Sequence, residues 1–205
     1  MECILAGMAQ RNQDHLRETL VERHPLHEGR YISLYHDVVL DGNGERRERE
    51  IVLHPGAVAM IPLLPDGRLL LVRQYRHAVG ELCLELPAGT LDRRPDGTVE
   101  PPEEAAPREL EEETGYRAGR WRRLAAFFTA PGFASEEMHL YLADRLTPVD
   151  GYAGPAPDER LELEIIPWRE ALELAESGGI RDAKTLVGLL WLNRLAERGE
   201  LSSPA

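Results

Sequence analysis

The sequence predicts a mixed α+β domain, and three observations support this fold class. Short runs rich in β-branched, aromatic and other apolar residues lie on both sides of one strongly acidic segment that ends at Gly115. That segment is expected to be a helix, and two further helical patterns close the chain at residues 167–177 and 183–198. A chain of 205 residues is long enough to bury one core of this kind.

The first part of the chain predicts an antiparallel β-hairpin region. Residues 30–40 and 45–54 are typical of two strands, and the turn Asp-Gly-Asn-Gly between them favours a hairpin. Before the hairpin, residues 1–28 are mixed and polar, with one short helix expected near residues 14–22.

We place the domain boundary at residue 49, which separates an N-terminal β region, 1–49, from the main domain, 50–205. The arginines at the start of the second hairpin strand are expected to protect a strand edge and keep the chain soluble. Arg49 is in addition a candidate substrate contact.

Three strands are predicted in the main domain before the acidic segment, at residues 57–64, 68–76 and 81–87. Arg76 stands at the end of the second strand, where its planar guanidinium suits a phosphate group. Arg73 on the same strand is expected to be a surface residue. Glu85 lies in the apolar end of the third strand and needs a partner there.

The second half of the main domain predicts three more strands, at residues 121–129, 138–143 and 158–166. Loops are expected at residues 129–136 and 147–157. An amphipathic helix then runs to Gly178-Gly179, and Asp182 is expected to cap the last helix.

The acidic segment places three carboxylates on one helical face. Successive helical residues turn by about 100°, so Glu109, Glu112 and Glu113 point the same way, while Glu111 points roughly opposite. Carboxylates about 5–6 Å apart repel by about 3 kcal/mol per pair at an effective dielectric near 20. A divalent cation removes this repulsion, and carboxylate oxygens suit Mg²⁺ or Mn²⁺. The alternative is a solvated acidic surface, and the spacing alone leaves both open.

A wider motif decides between these alternatives. Glu100 is followed by Arg108-Glu109-Leu110, Glu112-Glu113 and Gly115-Tyr116, and PAGTLD at residues 87–92 precedes them. Together these residues resemble the signature of the Nudix hydrolases. The spacing between Gly89 and Glu100 is longer than usual, and residues 93–97 are expected to be an inserted surface loop. Pro107 is a second departure, because it removes one backbone hydrogen bond inside the expected helix.

The resemblance implies a fold and a metal site. The implied fold is the Nudix α/β/α sandwich with a mixed sheet. The implied metal ligands are the carbonyl of Ala88 and the carboxylates of Glu109, Glu112 and Glu113, and Glu112 and Glu113 are also candidate catalytic residues. Gly89 lets the backbone approach closely. Arg108 and Glu100 are expected to support the carboxylates, and Gly115 to end the helix.

A second resemblance is to the ADP-ribose pyrophosphatase subgroup. Pro131 lies sixteen residues beyond Gly115, and PGFASEEMHLYL, beginning at Pro131, resembles that subgroup's loop. Its Glu assists the attacking water, which points to Glu136 here, although a plain exposed loop acid is the alternative. The implied substrate contacts are Arg76, Arg49, Glu85, Pro131, Gly132 and Phe133.

This resemblance implies hydrolysis of ADP-ribose to AMP and ribose 5-phosphate with Mg²⁺ or Mn²⁺. Two alternatives stay open: a Nudix enzyme for another nucleoside diphosphate derivative, such as a nucleotide sugar, NADH or FAD, and a catalytically silent ADP-ribose sensor. The resemblance also implies a homodimer in which the N-terminal β region packs on the partner subunit as dimerisation element and substrate lid.

Composition excludes several other classes of function. A net charge of −12 argues against nucleic acid or an anionic membrane as partner, and leaves a small-molecule substrate. Cys3 and Cys83 are the only cysteines, which favours a reducing cytoplasm over a disulfide framework. No signal peptide or membrane-spanning run is expected, and the histidines show no zinc-ligand spacing.

Overall fold

The chain is described over residues 13–155 and 160–201 in a computed structural model. A short 3-10 helix at Asp14–Leu16 precedes the regular elements. The strands are β1 (Thr19–Glu28), β2 (Ser33–Leu40), β3 (Arg46–Leu53), β4 (Ala57–Pro62), β5 (Arg68–Arg76), β6 (Glu81–Glu85), β7 (Ala88–Thr90), β8 (Tyr116–Phe128), β9 (Glu137–Pro148) and β10 (Leu161–Pro167). The helices are α1 (Pro102–Thr114), α2 (Trp168–Glu176) and α3 (Ala183–Glu197).

The described residues form two compact units. The first contains the chain up to His54 together with Ala130–Ser135, and the second contains Pro55–Thr129 and the chain from Glu136 onward.

The first unit is a three-stranded antiparallel sheet in the order β1-β2-β3. Asp41 closes the hairpin between β2 and β3, because its Oδ1 accepts hydrogen bonds from the N–H groups of Asn43 and Glu45 at 2.9 and 3.0 Å. The loop Ala130–Ser135 joins this unit through Val52, whose N–H donates to the Phe133 carbonyl at 2.8 Å. The predicted antiparallel hairpin is therefore confirmed.

The helix predicted near residues 14–22 is wrong. Only Asp14–Leu16 is helical, and β1 begins at Thr19. All ten residues of β1 are exposed, so no buried face imposes a two-residue periodicity on its sequence. Backbone pairing with β2, from Thr19 opposite Leu40 to Glu28 opposite Ser33, makes it a strand.

The second unit has the predicted α+β architecture with a mixed sheet. One sheet has the order β7-β4-β9-β8 and the other β10-β5-β6. The β4–β9 pair is parallel, and the remaining pairs are antiparallel. All six residues of β4 are buried, as predicted for the run at residues 57–64.

Alternate residues of the buried strands supply two separate cores. Val58 and Met60 of β4 pack with Ala105, Ala106 and Leu110 of α1. Ala59 and Ile61 of the same strand belong to the core formed with α2 and α3. Successive side chains of a strand point to opposite faces, so the helices cover the strands in a layered α/β/α arrangement.

The strands predicted in the main domain are confirmed, but several bounds differ. β8 begins before the run predicted at 121–129, and β9 extends past the run predicted at 138–143. The added segments of both strands contain charged residues, so their sequences lack the apolar pattern of a strand. β7 was not expected, because three residues carry no periodic pattern. Residues 156–159 of the predicted loop and strand lie outside the described residues.

The helical predictions are confirmed at the end of the chain. Asp182 caps α3, with its Oδ2 accepting from the Thr185 N–H at 3.0 Å. In the described ranges, no helix combines the length and the hydropathy needed to cross a membrane.

Helix α1 runs through Pro107 and ends at Gly115. Pro107 lies on the exposed face, where water can satisfy the carbonyl that loses its intrahelical donor. Gly115 adopts a left-handed conformation with φ of 71°, and its N–H donates to the Glu111 carbonyl. Residues 93–97 lie in an exposed turn, as expected for an insertion.

Candidate active site

Helix α1 holds two carboxylates against the short strand β7. The Ala88 N–H donates to Glu113 Oε2 at 2.9 Å. A Cβ added to Gly89 would lie 1.9 Å from the carboxyl carbon of Glu109, so the Glu109 carboxylate occupies the space that any other residue would fill. Both glutamates are almost fully buried, at 8% and 5% exposure.

Arg108 connects the acidic residues of this region. Its Nη2 donates to Glu100 Oε2 at 2.8 Å, while its Nη1 donates to Glu112 Oε2 at 3.1 Å and lies 2.8 Å from Glu109 Oε1. The hydrogen bond from Arg108 lowers the pKa of Glu100, and the same bond raises the pKa of Arg108. The guanidinium therefore offsets the repulsion among carboxylates that the sequence brings together.

The donor set fits a divalent cation in its chemistry. Glu109, Glu112 and Glu113 are hard oxygen donors, and Glu111 is directed elsewhere because Arg117 binds it at 2.6 Å. Across residues 13–155 and 160–201, no three histidine, cysteine or acidic side chains converge closely enough to form a ready-made metal cluster. Arg108 Nη1 contacts oxygens of both Glu109 and Glu112, so a cation would compete with it for them.

A cleft of about 940 Å³ lies beside β7 and the first turn of α3. Its volume is in the range of small-molecule sites. Glu136 lines the cleft, and its Oε2 accepts a hydrogen bond from Thr129 Oγ1 at 2.5 Å. The polar side chains and the β7 residues that line it are Arg76, Glu81, Glu85, Ala88, Gly89, Thr90, Thr129, Glu136, Arg181, Asp182 and Lys184.

Glu85 is the most deeply buried charged group of the cleft, at 1% exposure. It accepts hydrogen bonds from Arg76 Nε and Nη2 at 2.8 and 2.7 Å and another from Lys184 Nζ. Burial acts to raise the pKa of Glu85, but the Arg76 hydrogen bond and the Lys184 charge outweigh it and hold the pKa below its ordinary value. The sequence predicted that Glu85 needs a partner, and the structure provides two, Arg76 and Lys184.

The structure brings most of the predicted site residues of the second unit together. Arg76, Glu85, Ala88, Gly89 and Glu136 line one cleft. Glu109 and Glu113 of α1 contact the two β7 residues among them.

Four predicted substrate contacts belong to the first unit. Arg49 there donates to Glu18 Oε2 at 3.2 Å, and the loop with Pro131, Gly132 and Phe133 joins β3 through the Phe133 carbonyl.

Three cleft residues near the start of α3 were not found from the sequence as site residues. They are Arg181, Asp182 and Lys184, and Asp182 was recognised only as a helix cap. Lys184 lies 99 residues after its partner Glu85. One signal was present, because Lys184 is the single lysine of the chain.

Comparisons with known proteins identify the family. The family model described as "NUDIX domain" matches residues 53–187. The "ADP-ribose pyrophosphatase" of Bacillus subtilis (strain 168) is 38% identical over 177 residues, which cover 86% of this chain and 93% of that relative. This chain belongs to the Nudix family.

Two further comparisons give another relative and a solved structure that are similar to this chain. The "Methanol dehydrogenase activator" of Bacillus methanolicus is 38% identical over 175 residues, covering 85% of this chain and 92% of the relative. A crystal structure described as that of an ADP compounds hydrolase superposes with a TM-score of 0.75 at 25% identity, covering 91% of this chain and 98% of the other.

The Nudix match includes every candidate residue of the second unit, from Arg76 to Lys184. The chain is therefore a Nudix hydrolase, and enzymes of this family generally depend on a divalent metal ion.

Replacing Glu85 with Gln is expected to lower the free energy of unfolding by about 3 kcal/mol or more at neutral pH, because two cations lose their partner. The folded-state pKa of Glu85 lies below its ordinary value of 4.5. Its stabilisation is therefore present above that value and is lost as the pH falls through the folded-state pKa. In urea unfolding, the difference in unfolding free energy between wild type and Glu85→Gln should decrease as the pH is lowered.

Glu81→Gln is the matched control, since Glu81 is an exposed carboxylate of the same strand. It should change the unfolding free energy by no more than about 0.5 kcal/mol. Equal stability of wild type and Glu85→Gln at neutral pH would contradict the assigned ion pairs.

Proposed function

We propose that this Nudix hydrolase cleaves the diphosphate of ADP-ribose to AMP and ribose 5-phosphate. One observation carries the proposal: Ala88 and Gly89, which Glu113 and Glu109 contact, also line the cleft that contains Arg76 and Glu136. This arrangement supports a single site shared by the acidic helix and Arg76, the proposed phosphate ligand. The 38% identity to an ADP-ribose pyrophosphatase supports the choice of substrate.

The acidic residues would hold Mg²⁺ or Mn²⁺. Glu109, Glu112, Glu113 and the Ala88 carbonyl are the proposed ligands, and a bound ion supplies neutralisation of the diphosphate oxygens that otherwise repel a nucleophile. Arg108 and Glu100 position these carboxylates by the hydrogen bonds described above. Gly89 leaves the space for Glu109, and Gly115 ends α1 directly after the last ligand.

The remaining side chains bind the substrate and handle the proton. Arg76 donates to a phosphate oxygen from the cleft wall, and Glu85 holds it there. Glu136 orients and deprotonates a water that attacks phosphorus, with Glu112 and Glu113 as the other catalytic residues. One P–O bond forms and one breaks, which leaves a phosphate on each product. Arg49, Pro131, Gly132 and Phe133 are proposed as further substrate contacts.

Glu112→Gln and Glu113→Gln together are expected to lower kcat at least a hundredfold, the scale of losing a positioned acid–base group. Glu111→Gln should retain activity, because Glu111 lies on the other face of α1 and binds Arg117. The measurement is chromatographic separation of AMP and ribose 5-phosphate after incubation with ADP-ribose and Mg²⁺ or Mn²⁺, with EDTA in parallel.

Side reactions with ADP-glucose, NADH and FAD decide the substrate. Faster metal-dependent cleavage of one of these would retain the Nudix chemistry and overturn ADP-ribose as substrate. Binding of ADP-ribose without cleavage of any compound would favour a sensor. Full activity of the double variant would contradict the metal assignment.

We also propose a homodimer in the cytoplasm, in which the N-terminal region, 1–49, is the dimerisation element and substrate lid. Every residue of β1 is exposed, including Leu20, Val21 and Leu26, as are Tyr31 and Ile32 nearby. Several large apolar side chains exposed on one sheet are typical of a protein interface. The presence of only two cysteines supports a reducing compartment.

Light scattering is expected to give twice the chain mass of 23.1 kDa. Leu26→Glu should shift the protein toward the monomer, because it places a charge in the proposed apolar interface. Leu190→Glu is the matched control on α3, where Leu190 is 64% exposed, and it should remain dimeric. A monomeric wild type would overturn the assembly without affecting the proposed reaction.

A further inference from the structure

Lys184 is unusual in both its residue type and its burial. The chain contains 24 lysines and arginines, and every one except Lys184 is an arginine. Lys184 is also buried, with 8% of its surface exposed, at a position that lines the cleft. An ammonium is a compact charge with three donors, whereas a guanidinium is a broad planar fork. The position therefore favours the smaller cation.

Lys184 is the third member of a chain of four alternating charges. Arg76 binds Glu85 through two nitrogens, Glu85 accepts from Lys184 Nζ, and Lys184 Nζ lies 3.0 Å from Asp182 Oδ1. The Arg76 side chain is 42% exposed, but the Glu85 side chain is 2% exposed. Arg76 is thus the most exposed member of the chain and the one best placed to meet a ligand, whereas the side chains of Lys184 and Asp182 are 9% and 21% exposed.

The first turn of α3 is also fixed to the backbone next to Glu85. Thr185 Oγ1 accepts from the Leu86 N–H at 2.8 Å and donates to Asp182 Oδ2 at 2.6 Å. Consecutive residues of α3 therefore hold consecutive residues at the end of β6. This double attachment gives Lys184 a fixed position from which to orient the Glu85 carboxylate.

Without Lys184, Glu85 would have Arg76 as its one cationic partner. The positive charge of Arg76 would then be balanced by the full negative charge of Glu85. Arg76 would therefore attract an anionic ligand less strongly. The Glu85 side chain would also lose a restraint, and the guanidinium it orients would be less preorganised. Both effects weaken phosphate binding without touching the reacting atoms.

We propose that Lys184 is a positioning residue, which acts through Glu85 to hold the Arg76 guanidinium in place for a phosphate of the substrate. This inference rests on the proposed function, in which Arg76 contacts the diphosphate. It assigns α3 a part in substrate affinity in addition to its part in the core.

Lys184→Met is expected to raise KM for ADP-ribose roughly ten- to a hundredfold while kcat changes less than about threefold, since binding and not chemistry is weakened. Arg194→Met is the matched control, because it removes a positive charge from an exposed position of the same helix. It should leave both constants unchanged. An unchanged KM in Lys184→Met would overturn the proposal.

The double variant Glu85→Gln with Lys184→Met tests whether Lys184 acts through Glu85. If Lys184 acts through Glu85, adding Lys184→Met to Glu85→Gln should leave KM within about threefold of the value for Glu85→Gln alone. A further rise in KM of about tenfold or more in the double variant would mean that Lys184 contacts the substrate itself, and the positioning role would be wrong. Thermal unfolding of each variant separates lost affinity from lost stability.

The wild-type chain offers a test that needs no variant. Protein labelled with ¹³C at lysine Cε gives one side-chain lysine signal in NMR, because the chain has a single lysine. Titration with AMP and with ADP-ribose in EDTA should shift that signal as Arg76 engages phosphate. Saturation is judged from backbone chemical shifts of other residues. If the lysine signal does not move at saturation, Lys184 is only structural.

These readouts separate the two proposals. If wild type cleaves another nucleoside diphosphate derivative, ADP-ribose is wrong as substrate, and the KM comparison with that compound still tests Lys184. If neither AMP nor ADP-ribose nor any of those compounds binds, both proposals fail together.

Discussion

The close contact between helix α1 and strand β7 is the constraint on which the site depends. The Glu109 carboxylate lies where a side chain at position 89 would be, and Glu113 accepts the N–H of the preceding residue. These two nearly buried carboxylates thus contact Ala88 and Gly89, which line the same cleft as Arg76 and Glu136. The hydrophobic residues of α1, which pack on β4, hold this contact in place.

Placing so many acids together requires cations at fixed positions. Arg108 of α1 binds the acids Glu100, Glu109 and Glu112. At the end of β6, Glu85 is bound by Arg76 and Lys184. A buried carboxylate without such partners would cost several kcal/mol. In a chain with a net charge of −12, the buried acids Glu85 and Glu109 therefore each have a cationic partner.

Much of the fold was predictable because its signals are local. The buried strand β4 is a continuous apolar run, Gly115 ends α1 in the left-handed conformation, and Asp182 caps α3. The carboxylate face of α1 follows from helical geometry and from the Nudix signature. β1 was missed because its residues are exposed on both faces, and β7 because three residues show no period.

The unpredicted part of the site depends on contacts between distant residues. Glu85 clearly needed a partner, but the choice of Lys184 depends on where α3 packs, 99 residues later. Arg108 and Glu100 were expected to support the carboxylates, but the hydrogen bonds between them depend on the loop that brings Glu100 back to α1. Local sequence patterns predict helices, strands and caps. They do not predict ion pairs between residues distant in the sequence, because those pairs depend on how the elements pack.

The most direct measurement is the affinity of wild type and of Gly89→Ala for Mn²⁺, detected by electron paramagnetic resonance. Circular dichroism checks that the variant is folded. The added methyl group must displace the Glu109 carboxylate, so the affinity for Mn²⁺ is expected to fall roughly ten- to a hundredfold, as for other disturbed ligand shells. Wild-type affinity in a folded Gly89→Ala protein would contradict the proposed metal site between α1 and β7.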